Sequence, residues 1–274
     1  MRKYKAVLQS PRFFAAVLAF TGIAFLGGTV WSSSSKSKKS DIKVNNHTQT
    51  LKVISAEVHD GHVKMLLRND SNKNVTAFVV SSVSSGSVFA VTQEFAYSES
   101  DLVIAAGSVY EFVFSISRDS FNDPKNPSVD LSAVIFEDKS SEGDPRIAQE
   151  IEYERLGGKA QFSRAIPLLE RMLALSDKNM LAYFDKDLKS DLETALNSPA
   201  HELQTRLKGL RPLSMNQQES DKLSGQVKSG LEHGKEYLLR KLNDLEERKM
   251  QGGSVPREEI VGLKTMCEKI IARL

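Results

Sequence analysis

The sequence predicts an α+β, multi-domain chain: an N-terminal transmembrane helix, an antiparallel β-sandwich and a C-terminal helical bundle. Three observations predict it. Residues 13–31 are nineteen consecutive residues without a charge. Apolar residues recur with a period of two over 49–138 and with helical spacing over 144–274. The expected boundaries are a cytoplasmic N-terminus at 1–12, a signal-anchor at 13–31, a flexible stalk at 32–48, the sandwich at 49–138 and the helical domain at 144–274.

The 274 residues are 40% hydrophobic and 26% charged, too apolar for wholesale disorder. One cysteine excludes an intramolecular disulfide and any zinc site needing two or more cysteines. A net charge of +2 gives no electrostatic footprint for nucleic acid, so no nucleic-acid partner is expected. The charge is unevenly spread. Residues 1–40 hold seven Lys/Arg and no Asp/Glu, residues 41–143 eight basic against fourteen acidic, and residues 144–274 twenty-two against twenty-one. The three segments differ in chemistry and are candidate structural units.

Residues 13–31 read FFAAVLAFTGIAFLGGTVW. As a helix they would span roughly 28 Å, close to the hydrocarbon thickness of a bilayer. A soluble helix of that length carries a polar stripe, and this one has none. Arg2, Lys3, Lys5 and Arg12 precede it, which predicts the N-terminus inside and the C-terminus outside, with Trp31 at the outer interface. The rival is a cleaved signal peptide, whose apolar region runs ~7–15 residues before a small-residue cleavage site. This run is longer and ends in Val30-Trp31. A lipoprotein is excluded, because the only cysteine is Cys267. Both leading readings export the rest of the chain. The expected location is a single-pass cell-membrane protein with extracytoplasmic domains, its first partner the lipid bilayer through 13–31. Residues 32–48, SSSSKSKKSDIKVNNHT, have little to bury and read as a solvated stalk.

From residue 49 the period changes. Leu51, Val53 and Ser55 alternate with Lys52, Ile54 and Ala56; a second run, His62 to Leu67, follows the tight-turn signal Asp60-Gly61. Asn72-Lys73-Asn74 leads into a third run at 75–80, with further strands expected at 87–92, 101–105, 109–117 and 129–137. Tyr110, Phe112 and Phe114 share one face. Six or seven short strands with turns between them predict an antiparallel sandwich, and a barrel meets the same spacing. The stretch VISAEVHDGHVKMLLRNDSNKNVTAFVV, with Ala106-Gly107-Ser108 before YEFVFSI, resembles immunoglobulin-like β-sandwich modules of bacterial exported and membrane-anchored proteins. The resemblance covers under half the chain and rests on turn chemistry. It implies a module that binds or spaces, and it transfers no catalytic residue.

Asp144-Pro145 is a helix start, an acidic cap followed by a proline at the first position. Ile147, Ile151, Ile166, Leu169, Met172 and Leu173 continue at helical spacing, with a break expected at Gly157-Gly158. Leu181, Phe184, Leu188, Leu192 and Leu196 form a second stripe, and Ser198-Pro199 opens a short helix. Ser214 and Gln217 fit a capping box opening a long helix to about Met250, ended by Gly252-Gly253. Pro256 opens the last helix, with Ile260, Leu263, Cys267, Ile270 and Leu274 on one face. In the long helix Leu231, Leu238, Leu242 and Leu245 are expected inside a bundle; an exposed stripe would be a protein-binding groove or dimer seam.

No residue is assigned a catalytic, cofactor-binding or metal-binding role. Gly157-Gly158-Lys159 lacks the spacing of a phosphate loop. Asp185, Asp187 and Asp191 lack the glycine and terminal glutamate of a calcium loop. His59 and His62, with Glu57, are a thin metal constellation, and His201 and His233 have no partner fixed by sequence. Ser33-x-x-Lys36 and Ser35-x-x-Lys38 sit in the stalk, where no base could be held. Cys267 reads as a buried reduced thiol. Asn46, Asn69 and Asn74 open glycosylation patterns. The function expected is a membrane-anchored interaction or scaffolding module, with a protein partner or second copy bound through the helical domain. The alternative is an exported hydrolase-like enzyme whose active carboxylates are scattered in sequence.

Overall fold

The computed structural model describes residues 40–59, 61–84, 87–98, 103–115, 128–197, 217–251 and 257–274. All belong to one compact unit, Lys38–Leu274.

Nine strands are described: β1 (Ser40–Asp41), β2 (Lys43–Asn46), β3 (Leu51–His59), β4 (His62–Asn69), β5 (Val75–Ser84), β6 (Ser87–Glu94), β7 (Val109–Ser115), β8 (Ser128–Phe136) and β9 (Ser141–Gly143). They form a four-stranded sheet in the order β1-β3-β4-β7 and a five-stranded sheet in the order β2-β8-β5-β6, with β9 beside β8. Leu51, Val63, Met65, Leu67, Phe112 and Phe114 from the first sheet share one core with Phe78, Val80, Leu131 and Phe136 from the second. Phe78 and Phe112 meet edge to face, ring centres 4.9 Å apart. The two sheets therefore face each other.

The five-stranded sheet is apolar on both sides. Runs 75–80 and 131–136 are nearly continuous in apolar residues, and Ala77, Val79 and Ile135 point away from the sandwich core onto Ile147 and Ile151. Those two isoleucines belong to α1 (Pro145–Leu173). The four-stranded sheet is buried on one side only, so its strands alternate.

After α1 come α2 (Asp177–Tyr183), a π-helical turn (Phe184–Leu188), α3 (Lys189–Asn197), α4 (Gln217–Met250) and α5 (Arg257–Arg273). Their core holds Phe162, Leu169, Met172, Phe184, Leu188, Leu238, Leu242, Leu245, Ile260 and Cys267. Asp144 caps α1 by accepting from the Arg146 N–H at 2.8 Å. Arg257 ties the start of α5 to the end of α1, donating to the Leu173 and Leu175 carbonyls and to Asp177.

Several sequence expectations need correcting. Among the described residues no helix is long and apolar enough to cross a membrane, so the transmembrane helix drops out of the fold class, leaving α+β. Residues 13–31, on which that expectation fell, lie outside the described residues, as do Ser33, Lys36 and the rest of the stalk up to residue 39. The end of the stalk is not a spacer: its last residues build β1 and β2. The sheets are not purely antiparallel, because β2 runs parallel to β8. Of the strand expected at 101–105, residues 101 and 102 lie outside the described residues, and 103–105 hold a single bridge, Ile104 to Val75.

Strict alternation also fails in β3. Val53 stands opposite Leu67 and Ser55 opposite Leu66, so Ile54 is an extra, bulged residue. The bulge changes the phase, letting Leu51, Val53, Ala56 and Val58 all reach the core, and Ile54 is turned to solvent. Finally, Gly157-Gly158 does not break α1. The helix runs through all 29 residues because those glycines sit at a close helix crossing rather than at an end.

Candidate functional site

The charged groups buried deepest lie where α1 meets the end of the five-stranded sheet. Arg155 follows Ile147 and Ile151 at four-residue spacing on the face of α1 that packs on the sheet. Only 3% of it is exposed. Its guanidinium forks onto Glu94 at the end of β6, Nε to Oε2 at 2.8 Å and Nη2 to Oε1 at 3.1 Å. Nη2 also donates to Thr76 Oγ1 on β5 at 3.0 Å, and Nη1 to Glu152 at 3.2 Å. The Ala96 N–H donates to Glu94 at 2.9 Å. Burial pushes the Glu94 carboxyl up, opposed by Arg155.

Next to this pair, Glu154 holds His233 of α4 at 2.7 Å. That hydrogen bond raises the imidazole pKa against the opposing effect of burial. Tyr97 lies between the two pairs. Its hydroxyl oxygen is buried and meets no hydrogen-bond partner among the described residues. Burial, then the charges of Glu94 and Glu154, raise its pKa. The space among Thr92, Glu94, Tyr97, Ile151, Glu154 and Arg155 is about 10 Å³, the room of one water molecule. Two carboxylates stand near each other here, yet Glu94 is held by Arg155 and Glu154 by His233, and no substrate-sized molecule fits between them. The cluster joins sheet to helices.

A wider, open cleft of about 360 Å³ lies between the β8–β9 turn and the start of α1, over Ile135 and Ala148, with Lys139, Gln149 and Glu152 around it. Lys139 occupies the left-handed backbone region at φ 68° in that turn.

The second candidate is the outward face of the four-stranded sheet. Ile54 is 48% exposed, and Val109 and Val113 on β7 are 51% exposed. Leu66 lies between them on β4, opposite Glu111. Around these apolar groups Lys64 pairs with Glu111 at 2.7 Å and Arg68 with Asp70 at 2.5 Å.

The residues singled out in the sequence are dispersed. Asp185 pairs with Lys249, and Asp191 with Arg171 and the Tyr183 hydroxyl. His62 Nδ1 lies 3.1 Å from Ser115 Oγ. Among the described residues no three histidine, cysteine or acidic side chains gather as for a metal. His201 lies outside the described residues. Cys267 is buried. Asn69 is fully buried and pins two loops: its amide donates to the Lys73, Ile104 and Ala105 carbonyls, and its oxygen accepts from Ser71. It is a structural residue rather than a glycan acceptor in the folded chain. Glu94 and Arg155 were missed because 61 residues separate them. The one signal available was a cation in register with the Ile147-Ile151 stripe.

No family model matches this chain, and neither a curated protein nor a solved structure matches it.

Proposed function

We propose that the chain is an interaction module that works by docking rather than catalysis, and that its partner seats on the outward face of the four-stranded sheet. One observation carries this reading. Among the described residues the other large apolar side chains of the strands are covered, by the opposite sheet or by α1, while Ile54, Val109 and Val113 stand half exposed on one face. The leucines that the sequence offered as a seam, Leu238, Leu242 and Leu245, are spent inside the bundle. The Glu94–Arg155 fork and the glycine crossing of α1 and α4 support the role by holding sheet and helices as one body.

Photo-crosslinking in the native host tests the reading. A photoreactive residue at Val113 or Ile54 is expected to trap partner in good yield, and one at Lys228 of α4 is expected to trap little. Equal or absent crosslinking from the sheet positions refutes it.

A further inference from the structure

We propose that the outer edge of β7 pairs antiparallel with β7 of a second copy of this chain, about a two-fold axis at Phe112. The inference rests on the interaction-module reading and adds a second contact, at the edge of the same sheet beside the face that holds Ile54. It starts from backbone groups. Among the described residues β7 pairs with β4 alone, in unbroken register from Val109 opposite Arg68 to Ser115 opposite His62. Its far side presents a row of N–H and C=O groups roughly 23 Å long. Folded proteins usually blunt such an edge with proline, lysine, a bulge or shortness. Strand β7, VYEFVFS, has no proline, no lysine and no bulge. The opposite edge of the same sheet is blunted, since β1 has only two residues.

The side chains of β7 choose the occupant and the register. An edge-to-edge pair of identical strands that closes on itself needs a two-fold axis, hence an antiparallel arrangement. Faces must also match, so the axis falls on a residue. Placed at Glu111, it sets Glu111 against its own copy and leaves Phe114 and Ser115 facing the turn at Gly107, a like-charge contact and a shortened ladder. Placed at Phe112, the midpoint of the strand, it pairs all seven residues. Glu111 then faces Val113 of the copy, and Val109 faces Ser115. On the inner side Tyr110 faces Phe114, so the aromatic row that lines each core runs on into the next. This register has no like charges opposed and covers Val109 and Val113 together.

Disulfide trapping tests the register. Two differently tagged full-length copies are co-expressed, one carrying Val109→Cys and the other Ser115→Cys or Val113→Cys, and oxidised before a non-reducing gel. Glu111 is retained in every pairing. The 109/115 pair is expected to give about tenfold more heterodimer than 109/113, whose cysteines would lie on a diagonal beyond disulfide reach. Charge gives a second readout in the same assay. Adding Val113→Glu to both copies of the 109/115 pair opposes Glu111 and is expected to lower the yield about tenfold, while Val113→Lys is expected to keep it. A merely sticky apolar patch would lose yield with both. Equal yields from the two cysteine pairings, or none above the parent chain, overturn the inference. If photo-crosslinks from Val113 to a different protein persist in that case, the second copy falls and the module reading stands. If they vanish as well, both fall.

Discussion

Gly157 on α1 and Gly230 on α4 bring two helices into backbone contact. A Cβ on Gly157 would lie 2.7 Å from the Leu231 nitrogen and 3.0 Å from the Gly230 carbonyl carbon, and one on Gly230 would overlap the Glu154 carbonyl. Backbone cannot swing aside as a side-chain tip can. Gly157→Ala and Gly230→Ala are each expected to destabilise by at least the ~1–3 kcal/mol typical of overpacking. Gly225, on the same helix, has open space at its Cβ position, and Gly225→Ala should stabilise by up to ~1 kcal/mol through helix propensity alone. Denaturant unfolding followed by circular dichroism reads both signs. If all three variants move together, the close crossing is not what these glycines provide.

The Glu94–Arg155 fork is expected to behave as a buried ion pair that must be removed whole or kept whole. Arg155→Met leaves Glu94 buried without its cation, and Glu94→Leu leaves Arg155 buried with only the more exposed Glu152 as counter-ion. Each should cost about 3–5 kcal/mol of stability. The double variant, Glu94→Leu with Arg155→Met, leaves no unpaired charge and should recover a large part of that loss. Chemical denaturation of the four species forms a double-mutant cycle. Additive losses would show that the two residues do not depend on each other.

Much of the fold is local chemistry and could be read before any coordinates. The alternation of Val63, Met65 and Leu67, the aromatic face of β7, the Asp144-Pro145 start of α1 and the stripe Ile260, Leu263, Cys267, Ile270 each follow from a period or a cap. What escaped is set by tertiary partners. Strands β1 and β2 are short, polar edge pieces that exist because β3 and β8 offer them a ladder. Gly157-Gly158 has the propensity of a helix end, and only the glycines on α4 turn it into a crossing. Ile54 looks like an ordinary alternating residue until the bulge shifts the phase. The site suffers most, since neither the Glu94–Arg155 pairing nor the uncovered sheet face leaves a mark within any one segment.

The pair of His233 with Glu154 gives the α1–α4 interface a pH dependence. The imidazole pKa in the folded chain is raised above its ordinary value of 6.5, chiefly by the hydrogen bond to Glu154, with Glu236 and Glu232 adding their charge. A raised folded value means stability that is fully present below the unfolded value and lost as pH rises through the folded one. The parent chain should therefore lose stability from about pH 6.5 upward relative to His233→Gln, which lacks the proton. Melting temperatures of both proteins across pH 5.5–9 check this. Parallel curves would mean that the pair contributes no proton linkage.

Cys267 should be inert until the helices open. Its thiol is fully buried on the inner face of α5, and burial, with a smaller effect from Glu268, pushes its pKa up to about 12. Only the thiolate attacks a disulfide reagent, so at pH 8 roughly one chain in ten thousand would carry the reactive form even if the reagent could reach it. An exposed cysteine, with a value near 8.5, would be about a quarter thiolate under the same conditions. Labelling of the native protein with an aromatic disulfide is thus expected to be slower by a factor of about 10³ or more than labelling in urea, and to follow opening of the bundle. Fast, stoichiometric labelling of the native chain would contradict the packing of α5 against α1. Slow labelling would also mean that any disulfide trapped at β7 comes from the introduced cysteines.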